Sequence, residues 1–289
     1  MSPHKSSLFQ PNNVYTETTK LLAKPSTTVK YPADETYRVL HLKHVTFPNP
    51  SYWLCTTPRS GSSALGDALA RTGVAGRPTE YFNRRFWPEL SERFRVETVP
   101  DFLEAATRQT ATPNGVFGVK VMLDRDMEPF FRGLQRVYGA LPDTELVQAA
   151  FPNLRFVYLT RRNKVRQAVS FVRAQQTGVW ARYTGEAETK NLKPEFDSAA
   201  LNRSVHDLAL REVRWQDLFG ALGASPYTVV YEDYVRAPEA AVRGILDFLG
   251  LEPPADWSLP ELPMERLADE VSDAWVKRYL EVSAESIHR

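Results

Sequence analysis

The residues with the clearest chemical potential form a hydroxyl-rich turn between an apolar run, "YWLCTT" at 52–57, and a helical pattern that ends at Gly73. The turn consists of Thr57, Pro58, Arg59, Ser60, Gly61, Ser62 and Ser63. A helix that begins directly after such a turn points its first backbone amides into it, where they bind anions. We therefore predict a site for one phosphate or sulfate-like group. The alternative is a turn that only caps the helix.

This turn differs from the phosphate-binding loop of nucleotide-hydrolysing proteins, whose pattern is G-x-x-x-x-G-K-[ST]. In that pattern the lysine reaches the terminal phosphate and the final hydroxyl binds magnesium. The turn at 57–63 has one glycine and no Gly-Lys pair. Its composition therefore favours anion binding without the usual magnesium chemistry.

A second basic group lies in the segment "LTRRNKVRQAVSF". Arg161 and Arg162 stand at the carboxyl end of a predicted strand, where open α/β sheets bind their ligands, and Ser170 follows on the next helix. Basic residues beside a helix N-terminus are unfavourable unless an anion is present. We predict a second anion site here, and the alternative is a solvated helix start.

Two further charged residues have a suitable setting for catalysis. Glu80 follows a Gly-Arg-Pro turn and precedes two aromatic residues, which would place a carboxylate beside a sugar-binding surface. Lys120 lies within the apolar run "FGVKVM", where an amine needs a partner if it is buried. In the alternative interpretation, Glu80 is a solvated loop charge and Lys120 points into water from the strand end.

The elements that must position these residues alternate along the chain. Short β-branched or aromatic runs at 52–57, 116–122, 155–160 and 227–232 are separated by helical patterns. This order predicts an α/β fold with a parallel sheet between helices. A helix follows the last strand and ends at Gly250, and another includes Leu208 and Trp215. The polar stretch 176–205 is predicted to contain a loop or lid.

Composition limits the remaining possibilities. The 289 residues are 43% hydrophobic, enough for one main domain, and 36 basic against 35 acidic residues exclude a general affinity for nucleic acid or anionic membranes. A single cysteine precludes an internal disulfide, and no apolar run reaches membrane-spanning length. We predict a soluble, cytoplasmic protein with an N-terminal arm at 1–37 and one domain at 38–289.

Other candidate groups are less informative. His41 and His44 would face opposite sides of a strand and cannot chelate one ion, so we predict no metal site. Cys55 lies in a predicted strand, which favours a buried thiol over a nucleophile. Several aromatic residues stand where they would wall a sugar site, although aromatics at this spacing are more often core: Tyr81, Phe82, Phe86, Trp87, Phe171 and Trp180.

Five separated segments, "TPRSGSSAL", "TGVAGRPTEYF", "TPNGVFGVKVM", "RQAVSFVRAQQTGVW" and "SDAWVKRY", resemble the bacterial trehalose 2-sulfotransferase family in collinear order from about Trp53 to Tyr279. The resemblance implies a P-loop-like three-layer α/β sandwich with a central, mainly parallel sheet. It also implies in-line transfer of a sulfuryl group from 3′-phosphoadenosine 5′-phosphosulfate to a carbohydrate hydroxyl, without a metal.

The resemblance also implies roles for individual residues. Glu80 occupies the position of the family's catalytic base, and Arg59 stands where many sulfotransferases have the lysine that contacts the leaving 5′-phosphate. Lys120 is the other candidate cation. Arg161 together with Ser170 matches the 3′-phosphate site, and alignment favours Arg161 over Arg162. Arg266 also aligns with a family arginine and is left outside the predicted site.

Two other classes of protein remain open from the sequence. A small-molecule kinase would also use a phosphate loop, but it needs the missing Gly-Lys-Ser/Thr sequence. A non-catalytic nucleotide-binding protein of the same fold would lack turnover, which the presence of Glu80 and Arg59 argues against. The acceptor is open among trehalose, another sugar, a glycolipid and a small metabolite, and a homodimer is compatible with the sequence.

Overall fold

The structure is a computed structural model that describes residues 50–97, 99–184, 193–262, 264 and 267–287. The predicted arm at 1–37, the two histidines His41 and His44, and Arg266 lie outside these residues. The predictions made for them stay predictions.

A four-stranded parallel sheet forms the centre of the fold, with the strand order β2-β1-β3-β4. Its strands are β1 Ser51–Thr56, β2 Phe117–Val121, β3 Arg155–Thr160 and β4 Tyr227–Val230. Each coincides with one of the predicted apolar runs to within two residues at either end. The predicted parallel sheet is therefore confirmed.

Helices fill the connections between the strands and follow the last strand, β4. They are α1 Ser62–Ala70, α2 Trp87–Phe94, α3 Val99–Thr110, α4 Glu128–Tyr138, α5 Asp143–Ala150, α6 Lys164–Thr177, α7 Ser198–Leu222, α8 Tyr231–Tyr234, α9 Pro238–Leu249 and α10 Glu270–Ile287. Short 3₁₀ turns at Arg84–Phe86 and Arg125–Met127 precede α2 and α4. The predicted helix after the last strand is α9, and Gly250 ends it with a left-handed φ of 68°.

Both faces of the sheet are buried because β1 is apolar at successive positions. Trp53 and Cys55 point into a core that includes residues of α3, α4, α5 and α7. Tyr52 and Leu54 point to the opposite side, into a core shared with α1 and α9. Side chains alternate across a strand, so such a run predicts a layer of helices on each face. The result is a three-layer α/β arrangement.

The last strand is shorter than predicted. The pattern "YTVVYE" predicts a strand through residue 232, but β4 ends at Val230 and α8 begins at Tyr231. The physical reason is that the Glu232 carboxylate accepts hydrogen bonds from the backbone amides of Arg162 and Asn163. These bonds hold the chain across the sheet edge, where it turns into α8.

The topology places the hydroxyl-rich turn where ligands bind in open parallel sheets. The chain adds β2 on one side of β1 and then adds β3 on the other side. This reversal makes the carboxyl end of β1 a topological switch point, which is the usual ligand crevice. The turn at 57–63 leaves β1 at that point. No helix among the described residues has the length and apolarity needed to cross a membrane.

Candidate active site

The turn between β1 and α1 has an unusual backbone. Gly61 is the N-cap of α1 with a φ of 88°, and it has no side chain that could satisfy the first helical amides. Arg59 also has a positive φ, 64°, which is uncommon for a residue with a Cβ atom. The hydroxyls of Thr56 and Ser60 share a short hydrogen bond that closes the turn. The first amides of α1 therefore point into a preformed concave loop.

The loop is fixed from behind by two buried side chains. The Gln167 amide nitrogen donates to the Thr57 hydroxyl at 2.9 Å and to the Pro58 carbonyl at 2.7 Å. The Trp215 indole donates to the Thr56 carbonyl at 2.9 Å. Gln167 lies on α6 and Trp215 on α7, so two helices determine the shape of the loop. The sequence analysis did not identify Gln167, because nothing in its local pattern separates it from a surface glutamine.

At one end of the loop the structure brings together three of the residues that were predicted to bind the donor nucleotide. The Arg59 Nε donates to the Ser170 hydroxyl at 2.9 Å, and the Arg161 Nη1 donates to the Arg59 carbonyl at 3.0 Å. A second Arg59 nitrogen donates to the Trp180 carbonyl, which follows α6. The predicted 5′ and 3′ anion sites are therefore in direct contact.

The electrostatics at this end of the loop favour an anion. Burial and, to a smaller extent, the positive charge of Arg161 lower the pKa of Arg59 to about 10. Two guanidinium groups in such proximity repel each other, and a bound phosphate or sulfate would relieve that repulsion. Arginine also suits phosphate because its planar fork binds two oxygens at once.

The neighbouring arginine, Arg162, points elsewhere. Its guanidinium pairs with the Asp233 carboxylate at 2.9 Å, and 60% of its side chain is exposed. Of the two arginines, Arg161 is therefore the one that reaches Arg59, and its assignment to the 3′-phosphate stays a prediction.

At the other end of the loop, Glu80 and Lys120 form an ion pair. The Lys120 Nζ lies 3.0 Å from the Glu80 Oε1, with 8% and 15% of the respective side chains exposed. The same ammonium donates to the Ser63 hydroxyl at 3.2 Å. Glu80, the predicted base, is therefore the partner that the buried Lys120 requires. Lys120 also links this pair to Ser63, the last residue of the loop.

Local backbone pairing explains how Glu80 reaches this position. Thr79 forms an isolated parallel bridge with Val119, and its carbonyl accepts the Lys120 amide at 3.0 Å. The side-chain amide of Asn83 donates to the second carboxylate oxygen of Glu80 at 3.1 Å. Asn83 was not identified from sequence. The feature that could have identified it is its position as the cap of a 3₁₀ turn, where the Asn83 side chain accepts a hydrogen bond from the Arg85 amide.

A further carboxylate, Asp124, follows β2 on the same edge of the sheet. Its side chain accepts the Asp126 amide at 3.0 Å and lies 3.8 Å from the Arg211 Nη1. Burial raises the pKa of Asp124 to about 6, although Arg211 acts in the opposite direction, and the negative charge of Glu80 contributes to the rise. Asp124 is thus electrostatically coupled to the predicted base.

Comparison with known proteins decides the family. The family model described as Stf0 sulphotransferase matches residues 51–281. The chain belongs to the Stf0 sulfotransferase family. It is similar to the trehalose 2-sulfotransferase of Mycobacterium tuberculosis (strain ATCC 35801 / TMC 107 / Erdman), with 31% identity over 261 residues that cover 79% of this chain and 93% of the relative. The trehalose 2-sulfotransferase of Mycolicibacterium smegmatis (strain ATCC 700084 / mc(2)155) is also 31% identical, over 79% of this chain and 94% of its own.

A solved sulfotransferase from Alicyclobacillus acidocaldarius is similar at 17% identity, with a TM-score of 0.43 over 82% of this chain and 95% of that one. The parallel sheet of this chain, with a helical layer on each face, agrees with the three-layer α/β fold predicted from sequence. The resemblance to the trehalose 2-sulfotransferases is confirmed by the family match and by the curated relatives.

The aromatic residues near the sulfotransferase site divide into two groups. Tyr81 and Phe82 are buried in the core, as the alternative interpretation held. Phe86 and Trp180 are instead 41% and 45% exposed, and the Trp180 ring meets Phe171 edge-on at 5.9 Å. Among the residues that the structure describes, no three His, Cys, Asp or Glu side chains form a cluster suited to a metal ion.

Proposed function

We propose that this sulfotransferase moves a sulfuryl group from 3′-phosphoadenosine 5′-phosphosulfate to a hydroxyl of trehalose or a related carbohydrate. The observation that carries the proposal is that the loop 57–63 has charged side chains suited to the sulfuryl donor at one end and a candidate base at the other. A pair of guanidinium groups, Arg59 and Arg161, lies at one end. The Glu80 carboxylate lies at the other, paired with Lys120.

The first group fits the donor. This nucleotide carries phosphates at its 5′ and 3′ positions, so its protein needs two adjacent anion sites. Arg161 and the Ser170 hydroxyl would hold the 3′-phosphate, while Arg59 and the amides at residues 60–63 would hold the 5′ end. Ser170 already accepts a hydrogen bond from Arg59 at 2.9 Å, so the two sites share a contact before any anion is present.

The second group fits acceptor activation. As the acceptor hydroxyl attacks, its oxygen forms a bond to sulfur and its proton passes to Glu80. The bond from sulfur to the bridging phosphate oxygen breaks, and its electron pair stays on the 5′-phosphate of the product nucleotide. Arg59 and Lys120 are the cations that would stabilise this negative charge. The products are the sulfate ester and 3′-phosphoadenosine 5′-phosphate.

Two side chains orient the proposed base. Lys120 holds the Oε1 atom of Glu80 and Asn83 holds its Oε2 atom. A carboxylate with a donor on each oxygen has one orientation, and its remaining lone pairs can accept the acceptor proton. A positioned base of this kind is what in-line transfer requires, because a misplaced base loses most of its effect.

The test is transfer of label from donor carrying a radioactive sulfuryl group to trehalose, other sugars and a glycolipid, with and without chelator. We expect a labelled sugar whose formation persists in chelator. Transfer of a phosphoryl group from ATP to the sugar in the presence of magnesium, without transfer of the sulfuryl label, would instead identify a kinase. Binding of 3′-phosphoadenosine 5′-phosphate without transfer to any acceptor would indicate a non-catalytic nucleotide-binding protein.

A further inference from the structure

The segment after β4 contacts both proposed anion sites, although no sequence motif points to it. The Tyr231 ring lies beneath the Arg161 guanidinium, with the Cζ atom 4.5 Å from the ring centroid. The same ring packs on the loop at Gly61, where an added Cβ atom would lie 2.5 Å from the Tyr231 Cδ2. Tyr231 therefore contacts the loop at Gly61 through the edge of its ring and the Arg161 guanidinium through its face.

The next residue fixes the backbone that carries Arg161. The two carboxylate oxygens of Glu232 accept the amides of Arg162 at 2.9 Å and Asn163 at 3.0 Å. Burial by itself would raise the pKa of Glu232, but the hydrogen bonds from these two amides and from its own amide, together with the positive charge of Arg161, hold the pKa below its usual range. Charge-assisted bonds to consecutive amides leave the turn little freedom.

The sheet supplies a rigid base for both contacts. Strand β4 pairs with β3 up to the partners Thr160 and Val230. Arg161 therefore leaves β3 directly beside the point at which Tyr231 leaves β4. The side chains that meet across this step belong to the first residues after two adjacent strands, so the paired strands determine their spacing.

We propose that Tyr231 and Glu232 fix the position and plane of the Arg161 guanidinium beside the loop 57–63, and thereby select a donor nucleotide that carries a 3′-phosphate in addition to its 5′-phosphate. The proposal rests on the donor assignment made above and adds the residues that determine its selectivity. Tyr231 and Glu232 act through Arg161 and are therefore positioning residues.

An aromatic ring suits this role better than an aliphatic side chain. Arginine stacks on a ring through the face of its guanidinium, whereas its N–H groups lie in the plane and point along the edges. One of these groups donates to the Arg59 carbonyl at 3.0 Å. Stacking thus fixes the plane in which Arg161 would meet a phosphate. A leucine in place of Tyr231 would fill space without fixing that plane.

The experiment is calorimetric titration of the full chain with two nucleotides, 3′-phosphoadenosine 5′-phosphate and adenosine 5′-phosphate, which differ only in the 3′-phosphate. We expect Tyr231→Leu and Glu232→Gln to bind the first nucleotide about 10-fold more weakly or worse, the usual effect of losing a charge-assisted contact, and to bind the second almost normally. The Tyr231→Phe variant keeps the ring and should restore most of the preference.

The matched control is Asp233→Asn, which removes the neighbouring carboxylate that holds the exposed Arg162. It should leave the affinity for both nucleotides unchanged. Melting temperatures of all variants show whether a change in binding reflects loss of the fold.

Three results would overturn the proposal. Equal losses of both nucleotides in Tyr231→Leu and Glu232→Gln would mean a merely structural role, and unchanged preference in both would mean no role. If Tyr231→Phe binds 3′-phosphoadenosine 5′-phosphate as weakly as Tyr231→Leu does, the Tyr231 hydroxyl and not its ring is the important group. If the unmodified protein binds both nucleotides equally, the donor assignment itself fails. This outcome is recognised from the unmodified protein, before any variant is measured.

Discussion

At the scale of the residue, the proposed base is defined by its partners. Glu80 and Lys120 were each singled out from sequence, but for separate reasons: one follows a turn and the other interrupts an apolar strand. Their 3.0 Å contact depends on the bridge between Thr79 and Val119, which joins distant parts of the chain. Such a contact has no local signature, and the same is true of Asn83 beneath the carboxylate.

The proposed role of Glu80 can be tested by a nearly isosteric change. In Glu80→Gln the amide cannot accept a proton, so we expect kcat to fall on the order of 10²–10⁴-fold, the range for a positioned general base. Affinity for 3′-phosphoadenosine 5′-phosphate should stay close to normal. Steady-state kinetics with trehalose and donor, together with nucleotide titration, measure the two effects.

A suitable control for this substitution is Glu89→Gln, because Glu89 lies exposed in the first turn of α2. That variant should have normal kcat and KM. A Glu80→Gln enzyme with raised KM and normal kcat would assign Glu80 to acceptor binding rather than to proton transfer.

At the scale of the element, the phosphate loop depends on its contact with α6. The buried Gln167 satisfies one hydroxyl and one carbonyl of the loop, at Thr57 and Pro58. Since buried polar groups are costly when they lose a partner, this single side chain ties the shape of the loop to the helix that also carries Ser170. A shift of α6 would therefore move both halves of the proposed donor site.

We expect Gln167→Leu to lower the free energy of unfolding by about 1–3 kcal/mol, because the Pro58 carbonyl and Thr57 hydroxyl lose their donor. Affinity for 3′-phosphoadenosine 5′-phosphate should fall with it. Urea unfolding and nucleotide titration provide the measurements. On the same helix, Gln176 bonds only to the exposed backbone of Glu195, so Gln176→Leu should be nearly neutral. Equal stability of the two variants would show that the loop is held by other contacts.

The elements were more predictable than their junctions. The apolar runs predicted all four strands of the sheet because β1 and β2 are buried throughout and β3 is buried along most of its length. The pattern "APEAAVRGILDFLGLEPP" predicted α9 with its glycine cap. The predicted end of β4 was wrong because Tyr231 and Glu232 contact the residues that directly follow the neighbouring strand β3. Hydrophobic periodicity indicates which side chains are buried, whereas the conformation of Tyr231 and Glu232 depends on contacts with residues that are distant in sequence.

At the scale of the whole molecule, the carboxyl edge of the sheet gathers charge from many parts of the chain. Arg59 and Glu80 lie in the connection between β1 and β2, Lys120 lies in β2, Asp124 follows β2 and Arg161 follows β3. Concentrating charged groups at one partly buried edge affects stability as well as ligand binding. Asp124 is the clearest case, since its carboxyl group has a pKa of about 6 compared with an ordinary value of 3.8.

This difference predicts a pH-dependent effect on unfolding. The folded state holds the Asp124 proton more tightly than the unfolded state, so the group favours folding at low pH and opposes it as pH rises through about 6. A shift of this size corresponds to about 3 kcal/mol. We therefore expect Asp124→Asn to gain stability relative to the unmodified protein between pH 4 and pH 7.

Urea unfolding at several pH values measures this difference. Asp124→Ala is the control, because it also removes the titrating group but loses the hydrogen bond from the Asp126 amide. The alanine variant should show the same pH dependence with a constant offset. Stability curves that stay parallel to those of the unmodified protein would contradict the assigned shift.

The burial of the central strand also has a practical consequence for chemical labelling of the protein. The chain has a single cysteine, Cys55, which is 0% exposed in β1, and burial raises the pKa of its thiol well above the usual value. Alkylating reagents attack the thiolate, so the native protein offers them almost no target. A cysteine introduced on the surface would consequently react alone, and a fluorophore or spin label could be attached to this enzyme at one chosen position without first removing the natural thiol.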